Sequence, residues 1–317
     1  MIIQSDAVTS AVVFAYHDIG VRCLEALLDL GFDIRLVVTH KDNPSEHIWF
    51  DSVAGLAERN GIAVITPEDV NSATVIEKVN RCGPEFIFSF YYRQMLGQKL
   101  LDIPARGAFN LHGSLLPEYR GRVPVNWAII QGEKESGVSL HRMEIKPDAG
   151  NLVAQAAVPI LRNDTAYDVF QKLKYMAETL LIEIIPEMLA GRVVELPLDL
   201  EKGSYFPGRK PEDGRIDWRL PARNIHNLIR AVAPPYPGAF FDIHSSHVEV
   251  LGSYDRNEQA CFNEPCIYLE DEIFHADCTD GRRLMITHLV IDGTRANSSI
   301  FRQMFGQRLI LEEKSDT

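Results

Sequence analysis

The chain has 317 residues, 46% of them hydrophobic, which exceeds one typical domain and predicts one larger and one smaller core. A formal net charge of -12 repels a phosphate backbone at long range, and no stretch has the density of Lys and Arg that a large nucleic-acid partner requires. Five cysteines, an odd number without a C-x-x-C pair, argue against a disulfide framework or a structural zinc site and predict reduced thiols. No apolar run reaches the ~20 residues that span a bilayer, and the first residues lack a basic start followed by an apolar leader. The expectation is a cytoplasmic protein with neither membrane span nor metal.

Taken in chain order, Ala11 to Tyr16 reads as a strand, followed by a His-Asp-Ile-Gly loop and a helix over Cys23 to Leu30. Strands follow at Ile34 to Thr39, Ile62 to Ile65 and Phe86 to Phe90, with helices at Val53 to Asn60 and Ser72 to Asn80 between them. Regular β-α alternation predicts an α/β fold with an open, mostly parallel, Rossmann-like sheet. Such sheets bind ligands beyond the carboxyl ends of their strands, where His17, Tyr91, Arg93, Asn110 and His112 fall. The loop after the first strand lacks G-x-G-x-x-G, which disfavours nicotinamide chemistry.

The run Gly107-Ala108-Phe109 leads into Asn110 and His112, which strand alternation points to the same side. A strand ending in an amide and an imidazole, followed by Gly-Ser-Leu-Leu-Pro and Tyr-Arg-Gly-Arg, presents chemistry more than it closes a core. Downstream, Asp148 sits in Lys146-Pro147-Asp148-Ala149-Gly150, a tight loop able to aim a carboxylate. A strand at Leu152 to Pro159 and a long helix over Ala166 to Ala190 follow. The character changes near Glu195 to Arg215, with a linker at Gly203 to Gly214. Short β-like runs at Ala239 to Ile243, Val248 to Leu251, Ile267 to Leu269 and Leu284 to Ile291 predict a small OB-like β-barrel. The expected domains are 1–203 and 204–317.

Phe88 to Arg93, Phe109 to Arg122 and Leu140 to Gly150 together resemble the folate-dependent formyltransferases. Within that family the pattern is similar to the formyltransferase half of the bifunctional polymyxin-resistance enzymes, without their sugar decarboxylase half. The likeness runs to about Ala239 and weakens beyond it. It implies formyl transfer from 10-formyltetrahydrofolate to the 4-amino group of UDP-4-amino-4-deoxy-L-arabinose, a step toward lipid A modification. The residues suit that chemistry. Amine attack on a formyl carbon makes a tetrahedral oxyanion, which needs a donor (Asn110), a proton shuttle (His112) and a carboxylate that orients and charges the imidazole (Asp148).

By the same resemblance, Gln94, Met95, Leu96, Arg122, Glu144, Ile145, Lys146, Pro147 and Asp148 line the folate pocket. Tyr16, His17 and Gly20 lie toward the uridine nucleotide, and Arg209 or Lys210 near its phosphates. The implied partners are a nucleotide sugar and folate, with no nucleic acid. The rival reading is methionyl-tRNA formyltransferase. That enzyme carries a glycine-rich basic loop after the segment resembling Thr39 to Pro44, whereas this chain continues Ser45-Glu46-His47-Ile48-Trp49-Phe50. Another nucleotide-linked amino sugar is a further alternative. Glycinamide ribonucleotide and water as acceptors are disfavoured by the C-terminal domain, and a non-catalytic folate sensor by the intact Asn110, His112 and Asp148.

Overall fold

A computed structural model describes residues 8–43 and 48–311; Ser45, Glu46 and His47 of the loop contrasted above lie outside them. Compact packing divides the chain into two units. The first comprises 1–124, 136–158 and 171–206, and the second 125–135, 159–170 and 207–317.

In chain order the elements through the first sheet are β1 (Ser10–Ala15), α1 (His17–Asp29), β2 (Asp33–Val38), α2 (Val53–Arg59), β3 (Val64–Ile65), α3 (Ala73–Cys82), β4 (Phe86–Phe90), α4 (Gln98–Leu101), β5 (Gly107–His112), β6 (Arg120–Gly121), α5 (Pro124–Gln131), β7 (Glu135–Arg142) and β8 (Leu152–Pro159). The sheet runs β3-β2-β1-β4-β5-β7-β8. The first five are parallel and β7 runs antiparallel to β5. Every residue of β1 and β4 is buried, as expected of central strands covered on both faces. Val12 and Phe14 of β1, Leu36 of β2, Ile87 of β4, and Val79 of α3 share one core cluster. Burying each such side chain contributes roughly 1.5–3 kcal/mol.

Strand order reverses about β1, whose neighbours β2 and β4 are fed from opposite sides, so a crevice opens at the carboxyl ends there. The turn into α1 is tighter than the sequence suggests. His17 takes a left-handed φ of 69° and starts the helix directly, six residues before the expected Cys23.

The remaining elements are α6 (Ala166–Leu189), β9 (Tyr205–Phe206), α7 (Ala222–Val232), β10 (Ala239–Ile243), β11 (Ser246–Gln259), β12 (Cys266–Glu270), β13 (Ile273–Asp277), β14 (Arg282–Ile291), β15 (Thr294–Arg295), α8 (Ser298–Phe305) and β16 (Arg308–Ile310). The expected linker is not featureless: β9 pairs in parallel with β6, and Pro211–Gly214 forms a 3-10 turn. The expected small barrel is an antiparallel sheet in the order β10-β11-β14-β13-β12-β16, with β15 paired to β14. Its core packs Ile225 and Ile229 of α7 with Phe241, Val250, Ile286 and Phe301. All five cysteines are free thiols. Among the described residues no helix is long and apolar enough to cross a membrane, and no group of three or more His, Cys, Asp or Glu is placed to hold a metal.

Candidate active site

Alternation along β5 sets Asn110 and His112 on one face, and the β5–β7 register adds a third side chain to it. Asn110 pairs with His141 and His112 with Ser139, so the His141 imidazole stands across from the Asn110 amide. Asp148 reaches the same place from the loop after β7, where it adopts a left-handed φ of 49°. That loop closes on Gly150, where a Cβ would lie 2.0 Å from the Arg142 carbonyl oxygen.

The carboxylate joins the two rings. Asp148 Oδ1 lies 3.5 Å from His112 Nδ1 and 3.5 Å from His141 Nε2, while Oδ2 accepts from the Gly121 N–H at 3.0 Å. Burial pushes the Asp148 carboxyl upward, but the His112 and His141 imidazoles beside it and the Gly121 N–H together outweigh it and hold the group down at about 2. Both imidazoles are buried.

Backbone carbonyls assign the ring hydrogens, because a carbonyl only accepts. His112 Nε2–H donates to Tyr119 O at 2.9 Å, which leaves Nδ1 facing the carboxylate. His141 Nδ1–H donates to Arg142 O at 2.8 Å, so in the neutral ring Nε2 accepts from Asn110 Nδ2 at 3.1 Å. This contact fixes the amide with its nitrogen toward His141, and the NH2 group has a second hydrogen to offer.

The residues expected to line a folate pocket separate into two sets. Glu144, Ile145 and Lys146 line a cavity of about 450 Å³ together with Leu101, Ala108 and Met143, and Pro147 leads from it to Asp148. Elsewhere, Gln94 ties down a loop, accepting from the Val70 N–H and donating to Glu68 O, each at 3.0 Å. Met95 is exposed and its carbonyl accepts from Asn71, whereas Leu96 is buried in the core. Arg122 is exposed, its backbone N–H donating to Phe206 O.

Tyr16 lines a second cavity, of about 250 Å³, with Thr39, His40, Asp42, Phe50 and Ser52. Its hydroxyl donates to Asp42 Oδ1 at 2.9 Å, and the Arg93 guanidinium lies 4.7 Å from its ring centre. His17 packs against Phe50 and Trp49, with ring centres 4.0 and 4.5 Å apart. Burial first, then Arg93 and Lys174, lower its ring to about 3, so it is neutral near pH 7. Gly20 serves close packing, since a Cβ there would sit 3.2 Å from both Ala15 Cβ and Val53 Cγ2. In the second unit, Arg209 covers the Trp127 indole at 4.8 Å and donates to Asp213 O at 2.6 Å. The Lys210 N–H donates to Asp213 Oδ2 at 2.7 Å.

Three participants were not singled out from the sequence: His141, the Tyr119 carbonyl and the Gly121 N–H. Alternation in Ser139-Leu140-His141-Arg142 places His141 on a definite face, but only the β7 register says which neighbour it meets. The two backbone groups carry no side-chain signal.

Residues 12–185 match the family model described as formyl transferase, and residues 209–299 match formyl transferase, C-terminal domain. The chain belongs to the formyl transferase family. Solved structures share the fold of this formyltransferase. One is WlaRD, a sugar 3N-formyl transferase crystallised in the presence of dTDP and 5-N-formyl-THF (TM-score 0.68, 23% identity, covering 88% of this chain and 97% of that one). Another is an N-formyltransferase from Helicobacter canadensis in complex with folinic acid and dTDP-3-aminofucose (TM-score 0.68, 24% identity, 88% and 99% covered). HypX from Aquifex aeolicus, in complex with tetrahydrofolic acid, is longer: 88% of this chain matches 43% of it, at TM-score 0.62 and 18% identity.

Proposed function

We propose that this formyltransferase moves a formyl group from 10-formyltetrahydrofolate to the amino group of a nucleotide-linked amino sugar, UDP-4-amino-4-deoxy-L-arabinose being the acceptor that the sequence resemblance favours. Lipid A modification and polymyxin resistance are the corresponding biological setting. The observation that carries the reading is that His112 and His141 both face the single Asp148 carboxylate at the end of β5, with the Asn110 amide held on His141.

The cavity lined by Glu144, Ile145 and Lys146, two residues short of Asp148 in the chain, is the folate site in this reading. A pterin carries polar ring edges on a flat body; Leu101, Ala108 and Met143 offer apolar wall, and Gln98, Asp102, Arg142, Glu144 and Lys146 offer polar groups. Its volume of about 450 Å³ lies within the range of small-molecule sites. When bound, the folate supplies the formyl group. Asn110 offers its amide N–H to the formyl oxygen as that atom gains charge. Because the His112 Nδ1 to Asp148 distance of 3.5 Å exceeds a hydrogen bond, whereas the Nε2 side is held at 2.9 Å, Nδ1 is the edge that exchanges the amine proton. Asp148, ionised near pH 7, faces Nδ1 and fixes the orientation of the ring.

Support for a nucleotide-sugar acceptor comes from the dTDP and dTDP-3-aminofucose in the related structures and from the net charge of -12, which disfavours an RNA acceptor. The test incubates the protein and 10-formyltetrahydrofolate with a panel of UDP- and dTDP-linked amino sugars and with initiator methionyl-tRNA. Preferential formylation of the UDP-linked arabinose derivative is expected; formyl-methionyl-tRNA as the main product contradicts the reading.

A further inference from the structure

We infer that the segment Gly203–Phe206, which lies between the two family-model matches, is a strap that positions His112 and Asp148, with Ser204 as its principal positioning residue. The inference rests on the catalytic reading of those two residues. Its geometry is independent of any ligand.

The strap grips the loop after β5 residue by residue. Tyr119 N–H donates to Ser204 Oγ at 2.8 Å, Arg120 N–H to Ser204 O at 3.1 Å, and Arg122 N–H to Phe206 O at 3.0 Å. The Tyr119 and Phe206 rings stack at 5.3 Å, with planes 10° apart. Two glycines permit this closeness. A Cβ on Gly203 would lie 2.2 Å from Pro117 O, and one on Gly121, at φ 98°, would lie 2.2 Å from Phe206 O.

What the strap grips is the backbone that holds the site. Tyr119 is fixed on both sides of its Cα, its N–H on Ser204 Oγ and its carbonyl on His112 Nε2–H. Two residues on, the Gly121 N–H donates to Asp148 Oδ2. Thus the imidazole and the carboxylate take their separation from residues 119–121, and those residues take their place from 204–206. Tyr119 itself holds a left-handed φ of 55°, a conformation that a bulky residue keeps only where its surroundings enforce it. The Ser204 hydroxyl is a side-chain acceptor, so it can be removed without altering the backbone pairing of the strap.

Ser204→Ala and Ser204→Val remove the acceptor, and Ser204→Thr keeps it at the volume of Val. Two readouts are taken: the His112 imidazole nitrogen signals by NMR without substrate, and kcat, KM and the pH profile of formyl transfer. Both hydroxyl-free variants are expected to stay folded, shift the His112 signals and the pH profile, and lose roughly tenfold to hundredfold in kcat with KM for the folate little changed. Ser204→Thr restores all of these. Wild-type His112 signals and pH profile in the Ala and Val variants would overturn the strap, as would loss of the fold in both. If wild-type protein formylates none of the acceptors, the functional reading fails, while the NMR comparison still decides the strap.

Discussion

Asp148 Oδ1 stands 3.5 Å from His112 Nδ1, and the same oxygen stands 3.5 Å from His141 Nε2, so one carboxylate atom serves two buried imidazoles. A charge so placed has a consequence for stability as well as for chemistry. The Asp148 carboxyl is lowered from 3.8 to about 2 in the folded chain. A lowered carboxyl contributes stability that is fully present above about pH 4 and is lost as pH falls through about 2. The contribution is on the order of 2 kcal/mol. Asp148→Asn should therefore flatten the fall in stability between pH 4 and 2, measured by urea unfolding, and should also lower kcat and shift its acid limb. An unchanged pH profile in this variant refutes the tuning role.

His112→Ala removes the group that handles the amine proton. Its kcat should fall by about 10²- to 10⁴-fold, while the affinity for the folate, read by calorimetry, changes only a few-fold. Equal losses in binding and turnover would place the ring in ground-state recognition instead.

A separate pH effect belongs to His226, fully buried in α7. Its Nε2–H donates to Arg162 O at 3.0 Å, so the neutral ring accepts at Nδ1 from the Ser253 hydroxyl at 2.8 Å. Burial lowers its pKa to about 4, against a partial rise from the Arg162 carbonyl. The unfolded chain takes up this proton below about pH 6.5 and the folded chain does not, so stability is lost as pH falls through that window. The loss between pH 7 and 5 is about 2 kcal/mol. His226→Gln should remove that part of the slope in urea unfolding, at some cost at pH 7.

Gly121→Ala tests the close approach of β6 and β9 from the loop side. With φ at 98° and a Cβ that would meet Phe206 O at 2.2 Å, the backbone must move. A loss of about 2 kcal/mol or more in stability is expected, together with a fall in kcat, because the Gly121 N–H holds Asp148. Wild-type kinetics and melting temperature would show that the loop has slack.

The first sheet was legible because its central strands are apolar runs between amphipathic segments, unbroken at Ala11–Ala15 of β1 and interrupted only by Ser89 in β4. The start of α1 was not, since His17-Asp18-Ile19-Gly20 reads as a loop until the left-handed turn at His17 is seen. In α7 the apolar positions Ile225, Ile229 and Val232 have helical spacing, but His226, Asn227 and Arg230 are buried too and blur the polar face. The two-residue strands β6 and β9 exist only through their pairing, so the segment read as a linker gave no local sign of its grip on the site. Asn110, His112 and Asp148 stood out as side chains with chemistry at turns and strand ends. Their companion His141 needed a strand register that one sequence does not print.

The most direct test follows the acceptor itself by mass spectrometry. UDP-4-amino-4-deoxy-L-arabinose is incubated with 10-formyltetrahydrofolate and either wild-type protein or His112→Ala. One formyl group is expected on the amine with wild-type protein, dependent on the folate, and at least about a hundredfold more slowly with the variant. No formylated sugar from wild-type protein, or equal formylation by His112→Ala, would contradict this reading.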